Sequence, residues 1–150
     1  MTTVYFVTPP KEKEQVTIIT EFLKDKGIEV IFSSPFRSAI EAIKEFGVEN
    51  EIPMYAVTEF GEMEVNNEPK ETFEEVQERM IDGLSMLATN EEGKTIAVCT
   101  HPIALSSAIK FFDETFTEAD TQRLKANAPA IVKFEFDGEI CTNIEEIKAI

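Results

Sequence analysis

Along the 150 residues of the chain, short apolar runs alternate with longer stretches in which apolar positions recur at helical spacing. Residues 3–7 (Thr-Val-Tyr-Phe-Val) read as a buried strand. Over residues 11–26, Ile19, Phe22 and Leu23 share one helical face among Lys and Glu, and Gly27 is a suitable stop. Residues 29–33 are a second apolar run. Ser34 then reads as an N-cap, with Pro35 at the first helical position, where its missing N–H costs nothing. Ala39, Ile40, Ile43 and Phe46 supply the inner face of that helix, and Gly47 its end.

Residues 52–57 form a weaker extended segment, which Pro53 marks as an edge strand or a strand start. Residues 58–70 are acidic and polar and read as a loop. Thr72 and Glu75 make a capping box, followed by Phe73, Val76, Met80, Leu84 and Leu87 at helical spacing. Gly93 precedes a strand over 95–100 that is apolar on both faces, as a central parallel strand should be. A helix follows from Pro102 to Phe112. Residues 113–128 are polar, with one short helix starting near Thr117. Residues 130–136 and 139–142 flank Asp137-Gly138, a strong hairpin signal.

This alternation predicts one domain over residues 1–150: a three-layer α/β/α fold with a mostly parallel central sheet. Sites in such sheets lie beyond the carboxyl ends of the strands. Thr8, Ser34 and His101 all fall at such ends.

Composition adds a charge constraint. Fourteen basic side chains face 29 acidic ones, a net charge of −15. That disfavours nucleic acid and anionic membranes as partners, and it opposes a phosphorylated substrate unless a local positive pocket overrides the field. Twelve Phe and no Trp point to a Phe-rich core. Cys99 and Cys141 make no disulfide framework, and Cys99 reads as a buried small hydrophobe. No stretch has the length of a membrane span, and residues 1–15 lack the pattern of a signal peptide. The expected compartment is a reducing cytoplasm. One histidine and no clustered Cys give no metal-ligand spacing, so neither a metal nor a cofactor is expected.

Four segments carry a resemblance that covers nearly the whole chain. They are Val4-Tyr5-Phe6-Val7-Thr8-Pro9-Pro10, Phe32-Ser33-Ser34-Pro35-Phe36-Arg37-Ser38-Ala39, Glu59-Phe60-Gly61-Glu62-Met63-Glu64 and Ile96-Ala97-Val98-Cys99-Thr100-His101-Pro102. In this order and spacing they resemble the histidine phosphatase superfamily, the phosphoglycerate-mutase-like proteins. Glu78-Arg79 and the closing Phe134-Glu135-Phe136-Asp137-Gly138 are similar to the family as well. The resemblance implies a first strand ending in Arg-His-Gly, whose His accepts the phosphoryl group. Thr8, Pro9 and Pro10 hold those places here. A second arginine is implied at Ser38, one residue beyond Arg37, and a proton-donating acid at Val57, two residues before Glu59. The segment after Pro10 is shorter than the family's, which implies that a substrate-covering loop is missing. Of the core set, His101 alone stands where the family needs it.

The expectation is a catalytically inactive, phosphoglycerate-mutase-like protein with a vestigial phosphate pocket of Thr8, Ser34, Arg37 and His101. Its expected partner is a small anion or a protein, with an oligomer left open. The alternative is a divergent phosphatase that uses His101, with Arg37, Thr8 or a nearby acid. Each residue also has a plainer role. His101 is a remnant phosphate ligand, a tuned base, or a group hydrogen-bonded at the top of the sheet. Thr8 and Ser34 bind an anion or cap turns. Arg37 is a displaced anion ligand or a solvated helix residue, and Lys11 replaces lost charge or is exposed. Glu59, Glu62, Glu64 and Glu68 form a cation-binding or docking loop, or a solvated acidic one.

Overall fold

Backbone pairing joins β1 (Thr2–Val7), β2 (Val30–Ser33), β3 (Met54–Ala56), β4 (Thr95–Cys99), β5 (Ile131–Asp137) and β6 (Ile140–Ile147) into one sheet. The structure is a computed structural model and describes residues 1–148. Strand order is β3-β2-β4-β1-β5-β6. The first four pair in parallel, and β5 is antiparallel to both of its neighbours. The mostly parallel sheet, the edge position of the Pro53 segment and the Asp137-Gly138 hairpin are as the sequence predicts.

Side chains alternate across each strand, so the sheet buries two separate cores. Val4 and Phe6 of β1, Val98 of β4 and Phe134 of β5 face α3 (Phe73–Asn90), α4 (Pro102–Phe112) and α5 (Glu118–Ala126). Val7, Ala97, Cys99 and Ile31 face α1 (Val16–Leu23) and α2 (Arg37–Glu49). The fold is therefore the expected three-layer α/β/α. Its larger core is rich in Phe: Phe6 meets Phe134 edge-on at 4.9 Å and Phe60 at 6.4 Å between ring centroids. Edge-on contacts of this kind add about 0.5–1.5 kcal/mol beyond area burial.

Four boundaries differ from the sequence reading, each for a local reason. The helix expected from residue 11 begins at Val16, after a 3-10 turn over Lys13–Gln15. Pro10 biases the residue before it to extended backbone, and the chain turns only where Gln15 N–H meets the Glu12 carbonyl at 3.0 Å. Ser34 is not the N-cap of α2. Its hydroxyl accepts from Phe36 N–H at 3.1 Å inside a turn, and Phe36, with ψ 140°, is the cap residue. Gly47 does not end α2. A Cβ there would meet Ile31 Cδ1 at 3.1 Å, so glycine lets the helix press on β2, and α2 runs on to Glu49. Strand β6 extends to Ile147, well past the expected residue 142.

Helix α3 makes a closer approach. A Cβ at Gly83 would lie 2.8 Å from Cε1 of Phe60, a ring with no solvent exposure. Alanine gains up to about 1 kcal/mol over glycine from helix propensity, but overpacking a rigid core costs about 1–3 kcal/mol. Gly83→Ala is therefore expected to destabilise the protein by about 1–2 kcal/mol. The measure is a lower urea midpoint at unchanged slope.

Candidate functional site

Strands β2, β4 and β1 are adjacent, so their carboxyl ends bring Ser34, His101 and Thr8 to one end of the sheet. Two of the three meet. His101 Nε2 lies 2.8 Å from Ser34 Oγ, and both residues are buried. The Phe36 ring lies over the imidazole at 5.1 Å between centroids. Ser34 Oγ already accepts from Phe36 N–H, so its own proton is free to go to His101 Nε2. Thr8 turns elsewhere. Its hydroxyl accepts from Ala130 N–H at 2.8 Å, and its N–H donates to the Ala130 carbonyl at 3.0 Å. Thr8 thus extends the β1–β5 ladder and has no exposed surface.

His101 is also the cap residue of α4, and the N–H groups of that first turn can all be traced. Pro102, the first helical residue, has none. Ile103 N–H donates to Glu62 Oε2 at 3.0 Å, and Ala104 N–H donates to Glu62 Oε1 at 2.9 Å. Leu105 N–H donates to the His101 carbonyl at 2.8 Å. A helix N-terminus is a natural anion site because such donors and the helix dipole point at it. Here the anion is the protein's own carboxylate.

Arg79 of α3 fixes the loop that carries Glu62. Its guanidinium donates to the Glu59, Gly61 and Glu62 carbonyls and to both carboxylate oxygens of Glu71, all within 3.0 Å. A guanidinium has five N–H donors, and this one has none left for a ligand. Glu71 is held below the usual carboxylate range by its bond to Arg79. Burial, with a smaller push from the Arg79 charge, lowers His101 from 6.5 to about 4. At neutral pH the imidazole is uncharged, bonded to a hydroxyl and covered by a ring.

The structure does not bring Arg37 into this cluster. Its side chain is 90% exposed and pairs with Glu41 at 2.7 Å. Pro9, Pro10 and Ser38 line a groove of about 630 Å³ between the first βα turn and α2, shared with Lys13, Lys44 and Val48. Val57 N–H donates to the Ser33 carbonyl. Lys11 is exposed and donates to the Ala126 carbonyl at 3.3 Å. In the acidic segment Glu59 accepts from the Thr58 hydroxyl, and Glu68 is exposed with no bond among the described residues. Glu62 caps α4, Glu64 accepts from Asn66 N–H, and no His, Cys, Asp and Glu group with metal-binding geometry occurs among the described residues.

Two roles escaped the sequence reading. Glu62 is 41 residues from its nearer helix partner, and Arg79 is bound to carbonyls whose positions no spacing rule encodes. Both generate expectations. Glu62→Ala leaves two helix donors without a partner and should cost about 1–2 kcal/mol in urea denaturation, with Glu62→Gln recovering part of the loss. For His101 the folded state binds its proton near pH 4 and the unfolded state near 6.5, so the unfolded state holds more protons between these values. Stability therefore falls as pH drops through that window, by about 3 kcal/mol. The difference in unfolding free energy between the parent and His101→Gln should change with this slope and flatten above pH 7 (about half a unit over the unfolded value).

Comparison with known proteins bears on the same residues. The family model for the histidine phosphatase superfamily (branch 1) matches residues 63–145. His101 lies inside that match, and Thr8, Pro9, Pro10, Ser38 and Val57 lie outside it. No curated protein matches by sequence. Among solved structures, Bacillus stearothermophilus YhfR is similar with a TM-score of 0.80 at 15% identity, over 94% of either chain. Phosphoserine phosphatase from Entamoeba histolytica gives 0.75 at 14% identity over 99% of either chain. Mycobacterial glucosyl-3-phosphoglycerate phosphatase gives 0.73 at 11% identity over 96% of either chain. At such identities these likenesses concern the fold alone, whereas the model match spans more than half of the sequence. The chain belongs to the histidine phosphatase superfamily, branch 1.

Proposed function

We propose that this protein is a catalytically inactive member of its superfamily, with a role in binding a small ligand or a protein. The observation that carries the reading is Pro9 at the place of the phosphate-accepting histidine. Proline has no side-chain nucleophile, and Pro10 beside it supplies no N–H. Three features of the site support it. Phosphoryl transfer is catalysed largely by positive charge and donors aimed at the phosphoryl oxygens. Arg79 has its donors engaged, Arg37 is out in solvent, and the α4 donors are held by Glu62. The unpaired cysteines Cys99 and Cys141 fit a reducing cytoplasm.

A second reading draws on one distance. Ser34 Oγ and His101 Nε2 at 2.8 Å have the spacing of a nucleophile and its base, which would suit a divergent hydrolase. Against it stand the complete burial of Ser34 and the Phe36 ring over His101. No carboxylate among the described residues bonds the imidazole to orient it.

Turnover of p-nitrophenyl phosphate and p-nitrophenyl acetate separates the two. The inactive reading expects rates no higher than those of His101→Ala. Saturable phosphate-ester turnover that His101→Ala abolishes overturns it, and ester hydrolysis lost in both Ser34→Ala and His101→Ala would establish the hydrolase.

A further inference from the structure

Lys125 in α5 is the one half-buried lysine among the described residues that makes neither an ion pair nor a hydrogen bond. The other half-buried lysines, Lys26 and Lys133, are paired with Asp25 and with Glu135 and Glu145. Several exposed lysines also lack a carboxylate partner; what sets Lys125 apart is that it is half-buried and makes no bond at all. It lines a cavity of about 430 Å³ between α4, α5 and the segment from Met63 to Phe73.

The lining joins four apolar side chains to polar and charged ones, Thr117, Thr121 and Gln122 among them. Met63, Phe73 and Ile103 are half-buried and Phe116 is buried. Ser106 donates to the Pro102 carbonyl at 2.7 Å. Lys110 donates to the Phe116 carbonyl at 2.9 Å, which ties that ring to α4. The exposed Glu118 places one carboxylate at the opening.

We propose that this cavity binds a small amphipathic monoanion, with an aromatic or branched aliphatic body against Met63, Phe73, Ile103 and Phe116 and a carboxylate on Lys125. The volume lies in the range of small-molecule sites, in which apolar side chains hold the body of a ligand and polar groups fix its orientation. Two ammoniums, Lys110 and Lys125, against the one carboxylate of Glu118 leave the lining a single net positive charge, which matches a single negative charge on the ligand. A phosphate dianion would exceed that single net charge, and the field of the acidic chain opposes it further. The cavity includes none of Thr8, Ser34, Arg37 and His101, so the proposal does not depend on the loss of phosphoryl chemistry.

The test is a titration of the full chain with 3-phenylpropionate and with its uncharged analogue 3-phenylpropionamide, followed by heteronuclear NMR. Saturable shifts are expected at Met63, Ile103 and Thr121, with the amide binding about fivefold more weakly than the acid. Lys125→Gln should weaken the acid by about the same factor and leave the amide unchanged. An unchanged affinity of the acid for Lys125→Gln overturns the proposal. So do shifts confined to the Pro9 and Val48 groove, or no saturation at concentrations on the order of 10 mM. Phosphatase assays have no part in these outcomes, so the two readings fail separately.

Discussion

The end of the sheet that would hold a phosphate is organised by one carboxylate. Glu62 accepts from the two free N–H groups at the start of α4, and Arg79 holds the backbone on either side of it. Each bond is modest alone, about 1 kcal/mol for a typical exchange with water. Their value lies in where they converge. The loop that leaves β3, the first turn of α4 and the middle of α3 are fixed to one another there. His101 then follows β4 in a position it cannot easily leave. It caps the same helix, bonds Ser34 and lies beneath Phe36.

On the reading proposed above, the fold of a phosphatase stands here apart from its chemistry. The relatives by structure share the sheet and its helices at 15% identity or less, so the shared object is a pattern of apolar positions on two sheet faces. Nothing in either core depends on a histidine or arginine at the end of β1. Val4, Phe6 and Val7 are buried whatever follows them, and Thr8 continues the β1–β5 ladder by bonding Ala130. Cationic groups packed close together for phosphate repel one another when the anion is away. On the reading proposed above, Thr8, Pro9 and Ser38 stand at such places and carry no such repulsion, and the two prolines restrict the unfolded chain as well.

What the sequence disclosed follows from the range of the interactions. The Thr72–Glu75 box, the Thr117 cap and the Asp137-Gly138 hairpin are written within four residues, and each forms as expected. The layers were legible because strand and helix periods differ. Ser34-Pro35 misled because a serine hydroxyl can cap a turn as well as a helix, and the Phe36 N–H took it first. Gly47 misled because glycine marks both helix ends and close packing, and only the Ile31 contact decides between them. The site was half legible. Strand ends placed Ser34 and His101 together across 67 residues, yet nothing local said that Arg37 would turn to Glu41, or that Glu62 would reach α4.

Charge gives the division of the molecule a second meaning. Residues 1–44 hold six basic and six acidic side chains, so residues 45–150 carry the whole net charge of −15. The family model matches within that acidic part; of the residues that depart from the family's pattern, Thr8, Pro9, Pro10 and Ser38 lie in the neutral part and Val57 in the acidic one. An acidic chain repels di- and polyanions at a distance, and only a concentrated cluster of cations could draw a phosphate ester through that field. The neutral segment supplies no such cluster at the ends of β1 and β2. Its six cations lie on either side of α1 and in α2; four of them are ion-paired or bonded to a carbonyl, and the other two, Lys13 and Lys44, share the Pro9 groove with Glu41 and Glu45. The proposed loss of phosphoryl chemistry and the distribution of charge therefore point the same way, toward ligands that carry little charge and much apolar surface.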